Sequence, residues 1–300
     1  MIIEKKQNNK QNHLFNWTYY DSARQGLKQV LLCENLRGKK ILLPAYIGYS
    51  TNEGSGVFDP VIETNTEYIF YRLKKSLNIK IEDIKNKIKA NKNNIILIIH
   101  YFGFVDNNLE LIKQYAIKYN MIIIEDFAHA LFNFHLNPVI DFNYGIFSLH
   151  KLLPFYCGGM VLSKSKKKIK STDISYYNIS SYDLISIASK RIRNYHFLLS
   201  LIKERFKNKN IIILRKHLKN NIPQSFPILL SNRDIRDKLY FQLNKDGYGV
   251  TSLYHTLISE IDDQFLVENT ISSTILNLPI HQDVGKASIR QMIDRLFSII

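Results

Sequence analysis

Short apolar runs alternate with segments of helical periodicity through the first half of the chain. Ile41-Leu42-Leu43, the run at 95–99, Ile122-Ile123-Ile124 and Gly145-Ile146-Phe147 are continuous and give way to polar or small residues. That is the pattern of strands buried on both faces of a parallel sheet. It predicts strands over 39–43, 94–100, 122–126 and 158–162, with shorter ones at 57–62 and 68–71. Between them, 22–32 reads as a helix with Asp21 or Ser22 as its cap. The segment 81–92 repeats Ile81, Ile84 and Ile88 at helical spacing, and 109–120 carries Leu111, Ile112, Tyr115 and Ala116 on one face. Strand–helix–strand alternation from 39 to 163 predicts an α/β fold: a mostly parallel, doubly wound central sheet flanked by helices.

The second half changes character. Residues 171–220 read as mostly helical, with 185–206 as a long connecting helix. Pro223 and Pro227 bracket the entry to a smaller α+β unit. Strands are expected there at 226–230, 250–254 and 275–278, and helices at 235–246, stopped by Gly247, and at 289–300. The expected division is a large domain over 21–205 and a small C-terminal domain over 206–300. Residues 1–20 form an N-terminal arm whose Phe15, Trp17, Tyr19 and Tyr20 pack onto the body. No internal repeat or low-complexity linker interrupts this plan.

Composition narrows the class. No apolar run approaches twenty residues, so no membrane-spanning helix is expected. Residues 1–13 are polar and basic with no apolar signal core, which predicts a cytoplasmic protein. Two cysteines, Cys33 and Cys157, are too few for a disulfide framework. The net charge of +15, from 41 basic and 26 acidic residues, raises nucleic acid as a partner. The lysines are spread along the chain, and the one dense run (Lys164, Lys166, Lys167, Lys168, Lys170) reads as a solvated loop after a strand. With neither a recognition helix nor a stacking-aromatic motif, nucleic-acid binding is not expected. A basic surface also suits an anionic small-molecule substrate.

The candidate chemistry sits at the carboxyl ends of the predicted strands, where open α/β sheets gather their ligands. Asp126 and His129 follow one strand and Lys151 follows the next. A carboxylate and a lysine at neighbouring strand ends are what pyridoxal 5'-phosphate (PLP) chemistry needs. The amine forms a Schiff base with the cofactor aldehyde, and the acid keeps the pyridine nitrogen protonated so that the ring can take up electrons. The plainer alternative for the same residues is a surface lysine and a helix-capping aspartate. The helix start at Ser22, Ala23 and Arg24 offers free N–H groups to a phosphate, or is simply a capped helix.

Six short stretches in order resemble one family. They are Leu43-Pro44-Ala45-Tyr46-Ile47, His100-Tyr101-Phe102-Gly103, Glu125-Asp126-Phe127-Ala128-His129-Ala130, and Ser148-Leu149-His150-Lys151-Leu152-Leu153-Pro154 with Gly158-Gly159. Phe226-Pro227-Ile228 with Asn232-Arg233-Asp234, and Leu278-Pro279-Ile280-His281-Gln282-Asp283, follow. Together they resemble the DegT/DnrJ/EryC1/StrS sugar aminotransferases, of PLP fold type I. The resemblance implies that Lys151 is the catalytic lysine, which also shuttles a proton, and that Asp126 pairs with the pyridinium. His129 would reach the phenolic oxygen of PLP, and Ser148 with Ser22, Ala23 and Arg24 would hold its phosphate. Ala23 stands where the family usually has glycine, and Arg24 reads equally well as a structural ion-pair partner. The family's ring-stacking aromatic falls on Gly48, leaving Tyr46 or Tyr49 as its substitute. No metal is implied.

The implied reaction takes an amino group from a donor, usually glutamate, and passes it to a nucleotide-linked keto sugar in amino-sugar and surface polysaccharide biosynthesis. A homodimer with the site at its interface is implied too. Two departures stand out: the 164–184 interval is shortened, with no arginine after Asn178, and Ser148 lies only three residues before Lys151. Sugar dehydration is the enzymatic alternative, in which a histidine replaces the lysine; the seven-residue step from Lys151 to Gly158 favours lysine. A catalytically degenerate member that binds a sugar nucleotide or a partner protein is the other.

Overall fold

The computed structural model describes residues 16–49, 56–164, 179–206 and 211–300. The apolar runs form β2 (Ile41–Pro44), β4 (Ile95–Ile99), β5 (Ile122–Asp126) and β6 (Tyr144–Ser148). They join β3 (Tyr68–Tyr71), β7 (Gly159–Ser163) and β1 (Asn16–Tyr20) in a seven-stranded sheet of order β1-β7-β6-β5-β4-β2-β3. The ladder is parallel from β3 to β6, and β7 and β1 close one edge antiparallel. Helices α1 (Ala23–Leu31), α2 (Asp59–Glu63), α3 (Ile81–Ala90), α4 (Leu109–Lys118) and α5 (Leu131–Leu136) lie between strands. The fold is the mostly parallel α/β architecture that the alternation predicts.

Strand alternation sorts the core into two layers. Ile41, Leu43, Ile95, Leu97, Ile124 and Ile146 pack on one face with Leu27, Val30 and Leu31 of α1. Leu42, Ile96, Ile98, Ile123 and Phe147 pack on the other. Glu125 and Asp126, adjacent at the end of β5, therefore project to opposite faces. Both faces being covered is the reason these strands are apolar throughout.

The long helix α6 (Leu184–Arg205) leads to a second, antiparallel sheet of order β10-β9-β8, built from β8 (Ile212–Ile213), β9 (Phe226–Leu229) and β10 (Ile275–Leu278). Helices α7 (Arg233–Lys245), α8 (Leu266–Thr274) and α9 (Lys286–Ile299) accompany it. Phe226, Ile228, Leu276 and Leu278 belong to the same apolar cluster as Leu42 and Ile98, so the core runs without a break between the sheets. No helix among the described residues is long and apolar enough to cross a membrane.

Several expectations are corrected. The segment 57–62 is not a strand: Pro60 sits in the first turn of α2, where a missing N–H is harmless. The segment 250–254 is not a strand either. Gly247 and Gly249 are left-handed, as is Tyr254 at φ 62°, and only Thr251 makes a bridge, to Asn277. Of the predicted helix over 171–220, the described part beyond Arg205 holds β8 and turns, while 165–178, including Asn178, lies outside the described residues. The arm contributes a strand, β1, that the sequence did not signal. Phe15 falls outside the described residues.

Candidate active site

The site grows from three chain segments that meet at the carboxyl ends of β5 and β6. Asp126 ends β5, and its Oδ1 accepts the Ala128 amide at 2.7 Å, which turns the chain toward His129. Ser148 ends β6 and opens a loop closed by the Leu149 amide on the Gly158 carbonyl at 3.0 Å. Buried Leu149, Leu152 and Leu153 pin that loop and leave Lys151 between them. The Gly158 amide donates to Asp21 at 2.8 Å, so the lysine loop is tied to the start of α1. Gly159 makes this contact possible: a Cβ there would lie 2.2 Å from the Ser22 carbonyl carbon. Arg191 of α6 braces the loop from behind, donating to the carbonyls of Gln224 at 3.0 Å and Leu152 at 3.4 Å.

At α1 the Ser22 side chain accepts the Gln25 amide at 3.2 Å as N-cap. The amides of Ala23 and Arg24 come before any intrahelical acceptor and remain available to an anion. The Arg24 side chain lies across Gly56 and pairs with Asp59 at 2.9 Å. The ion-pair alternative for Arg24 is thus realised, although the residue still borders the cavity.

Ser22, Ala23, Arg24, Asp126, Ser148 and Lys151 line one cavity of about 320 Å³. His129 lies beside it, with Nε2 3.1 Å from Lys151 Nζ. Tyr46 and Tyr49 do not reach it. Tyr46 is buried between Tyr101 and Tyr254, and its hydroxyl donates to the Leu253 carbonyl at 3.3 Å. The loop after β2 is held by segment 256–258, through Tyr49 N to Thr256 O at 2.8 Å and Ile258 N to Ile47 O at 3.1 Å. Tyr49 is thereby turned into a separate surface depression with Phe58 and Ile62. Gly56 and His150 border the cavity without having been anticipated. A glycine flanked by Ser55 and Val57, and a histidine next to the candidate lysine, were the available signals.

The electrostatics favour neutral groups. Burial raises the Asp126 carboxyl above the usual carboxylate range, and Lys151, the Ala128 amide and His100 oppose it. Burial lowers the Lys151 amine, Asp126 opposes this and Arg24 adds to it. Burial, with Lys151 beside it, holds His129 well below the ordinary histidine value of 6.5. As pH falls below about 6.5 the unfolded chain takes up a proton at this residue that the folded chain refuses. Stability therefore drops by up to about 1.4 kcal/mol per pH unit. Asp126 has the opposite sign, since its folded carboxyl takes up a proton before the unfolded one does. Denaturant unfolding of the wild type and His129→Gln between pH 7.5 and 5.5 isolates the histidine, because the Asp126 contribution is common to both. The variant is expected to lose part of the acid-side slope, and parallel slopes would contradict the assignment.

A half-buried lysine amine, a buried carboxylate and a helix start with free amides form a set of groups that fits PLP: an aldehyde, a pyridine nitrogen and a phosphate each find a complementary group. The cavity is of the size that encloses small ligands.

Comparison with known proteins agrees with this architecture. The model of the DegT/DnrJ/EryC1/StrS aminotransferase family matches residues 29–178, half of the chain. No curated protein matches the sequence. Among solved structures, Helicobacter pylori PseC, an aminotransferase involved in the biosynthesis of pseudoaminic acid, superposes with a TM-score of 0.74 at 16% identity, covering 95% of this chain and 86% of that one. S. venezuelae DesV, solved in complex with a ketimine intermediate, superposes with a TM-score of 0.71 at 15% identity, covering 94% of this chain and 84% of that one. Bacillus subtilis NtdA, solved with bound cofactor PMP, has TM-score 0.70 at 15% identity, covering 94% and 73%. At such identities the likeness is one of fold.

Proposed function

The chain belongs to the DegT/DnrJ/EryC1/StrS aminotransferase family, whose members depend on PLP, and on that premise we propose that it moves an amino group from glutamate to a keto sugar carried on a nucleotide. The observation that carries this reading is the Lys151 amine, sunk against His129 at 3.1 Å and lining the same cavity as Asp126 and the α1 start. Bound PLP supplies an aldehyde that accepts an amine and a ring that takes up the electron pair released at a substrate carbon.

The chain's own residues do the rest. Lys151 would hold the cofactor through its amine and, once released, its Nζ would take up and return the proton of the substrate carbon. Asp126 stabilises positive charge on the ring nitrogen, and that cation offsets the penalty of burying its carboxylate. His129 orients the phenolic oxygen. The Ala23 and Arg24 amides, with Ser22, Arg24 and Ser148, hold the phosphate. The surplus of basic residues, 41 against 26 acidic, supports an anionic substrate such as a nucleotide-linked sugar. A homodimer is part of this reading, and Tyr156, fully exposed in the lysine loop, is surface that a second copy would cover.

The test is spectroscopic, on the full chain. Added PLP is expected to give a visible absorption band that borohydride fixes onto the Lys151 peptide, in a protein sedimenting at twice the chain mass. Glutamate should bleach the band, and nucleotide-linked keto sugars should restore it. A second reading, a non-catalytic member, is favoured by the position of Tyr46 and Tyr49 away from the cavity. The absence of any band at saturating PLP would establish that reading instead.

A further inference from the structure

Phe102 occupies the left-handed region, at φ 57°, and is fully buried. A bulky L-residue adopts that conformation only against strain that its surroundings must hold in place. The surroundings here are tight. The Gln224 amide donates to the Phe102 carbonyl at 2.8 Å, and a Cβ on the next residue, Gly103, would lie 2.6 Å from the Ile222 carbonyl oxygen. The strained peptide points its N–H at His129, donating to Nδ1 at 3.2 Å. The Phe102 ring also lies nearly parallel to the imidazole, with centroids 6.0 Å apart and planes 13° apart.

A ring nitrogen that accepts from a backbone N–H carries no proton. The neutral imidazole then has its proton on Nε2, the nitrogen 3.1 Å from Lys151 Nζ. An ammonium brings only donors to that contact and would set N–H against N–H, whereas a free amine has a lone pair to accept. We propose that Phe102 is a positioning residue: its strained peptide locks His129 as a hydrogen-bond donor at Nε2, which in turn holds Lys151 as the free amine that attack on a carbonyl requires. The inference rests on reading Lys151 as the cofactor lysine and adds how that lysine is kept nucleophilic before the cofactor arrives. Among the described residues, the other charged or titratable groups around Nζ are Asp126 from β5, Arg24 from α1 and His150 of the same loop. Asp126 favours the ammonium and Arg24 the amine, and the His129 contact gives the amine form a directional partner.

The test uses the full chain without added cofactor. With histidine labelled by ¹⁵N and His129 assigned against the His129→Gln variant, long-range ¹H–¹⁵N correlation is expected to show Nε2 protonated and Nδ1 bare from pH 6 to 9. The opposite tautomer, or an imidazolium, overturns the proposal. The second readout is acetylation of Lys151 against pH, followed on its peptide by mass spectrometry. Half-maximal reactivity is expected at least about one pH unit below that of the exposed lysines, so that near neutrality the reactive fraction is about tenfold larger. His129→Gln can accept from Phe102 through its carboxamide oxygen and donate through its NH₂, and should keep this profile. His129→Glu can only accept, and should move the profile up by about one pH unit or more. A His129→Gln profile that departs from the wild type would mean that the donated hydrogen bond does not set it, and identical Gln and Glu profiles would mean that residue 129 does not touch the amine; either outcome overturns the proposal. Borohydride trapping of PLP in the same preparations separates the two levels. Trapping on Lys151 with the wrong tautomer sinks this inference alone, and trapping on another residue sinks the cofactor reading beneath it.

Discussion

Lys151→Ala is expected to lower transamination by about 10⁴-fold or more while leaving the fold intact. The size follows from assigning one side chain to two roles, the covalent bond to the cofactor and the proton transfer at the substrate carbon. Proton transfer by a positioned group alone contributes about 10²–10⁴-fold. The fold should survive because the loop is pinned by Leu149, Leu152 and Leu153 and by the Gly158–Asp21 and Arg191–Leu152 hydrogen bonds, none of which involves the lysine amine. Cofactor affinity should fall less than the rate, since the α1 amides, Ser148 and Asp126 remain. The measurements are the steady-state rate with glutamate and a nucleotide-linked keto sugar, borohydride labelling, and the unfolding midpoint. A variant that keeps more than about one hundredth of the rate, or that labels as the wild type does, would remove Lys151 from the assigned role.

The second large effect lies on the opposite face of the sheet. Glu125 is 1% exposed and stands between two buried partners. Its Oε2 meets His100 Nε2 at 2.8 Å and its Oε1 meets Lys113 Nζ at 2.5 Å, and Lys113 also pairs with Asp141. His100 is 1% and Lys113 4% exposed, so the contact is shielded from water. Lys113→Met removes the cation from a buried carboxylate. Breaking one side of such a pair destabilises by about 3–5 kcal/mol. Denaturant unfolding checks this, and the double variant Lys113→Met/Glu125→Gln is expected to recover most of the loss. A single-variant loss below about 1 kcal/mol would mean that water or the remaining His100 contact already satisfies Glu125. His100, just past the end of β4, thus belongs to a structural chain with Glu125 and Lys113, while Asp126, one residue after Glu125, faces the cavity.

What the sequence determined by itself was burial. A strand covered on both faces must be apolar until it ends, so the runs before Asp126 and before Ser148 marked both the parallel sheet and the points where polar residues emerge from it. The glycine pair opening β7 was readable as a place of close backbone approach, but that the start of α1 is what approaches Gly159 was not. Local signals misled where local rules allow more than one answer. The segment 57–62 holds enough apolar residues for a strand but carries a proline suited to a helix start, and 250–254 is strand-like in residue type but interrupted by left-handed positions. Partner choice was not in the sequence at all. That Tyr46 packs on Tyr101 and Tyr254, that Arg24 meets Asp59, and that His129 is held between the Phe102 amide and Lys151 depend on strand order and register. Hydrophobic periodicity records which side of an element is covered. It carries no information about which residue, 22 or 27 positions away, arrives to cover it, and only the assembled sheet decided that.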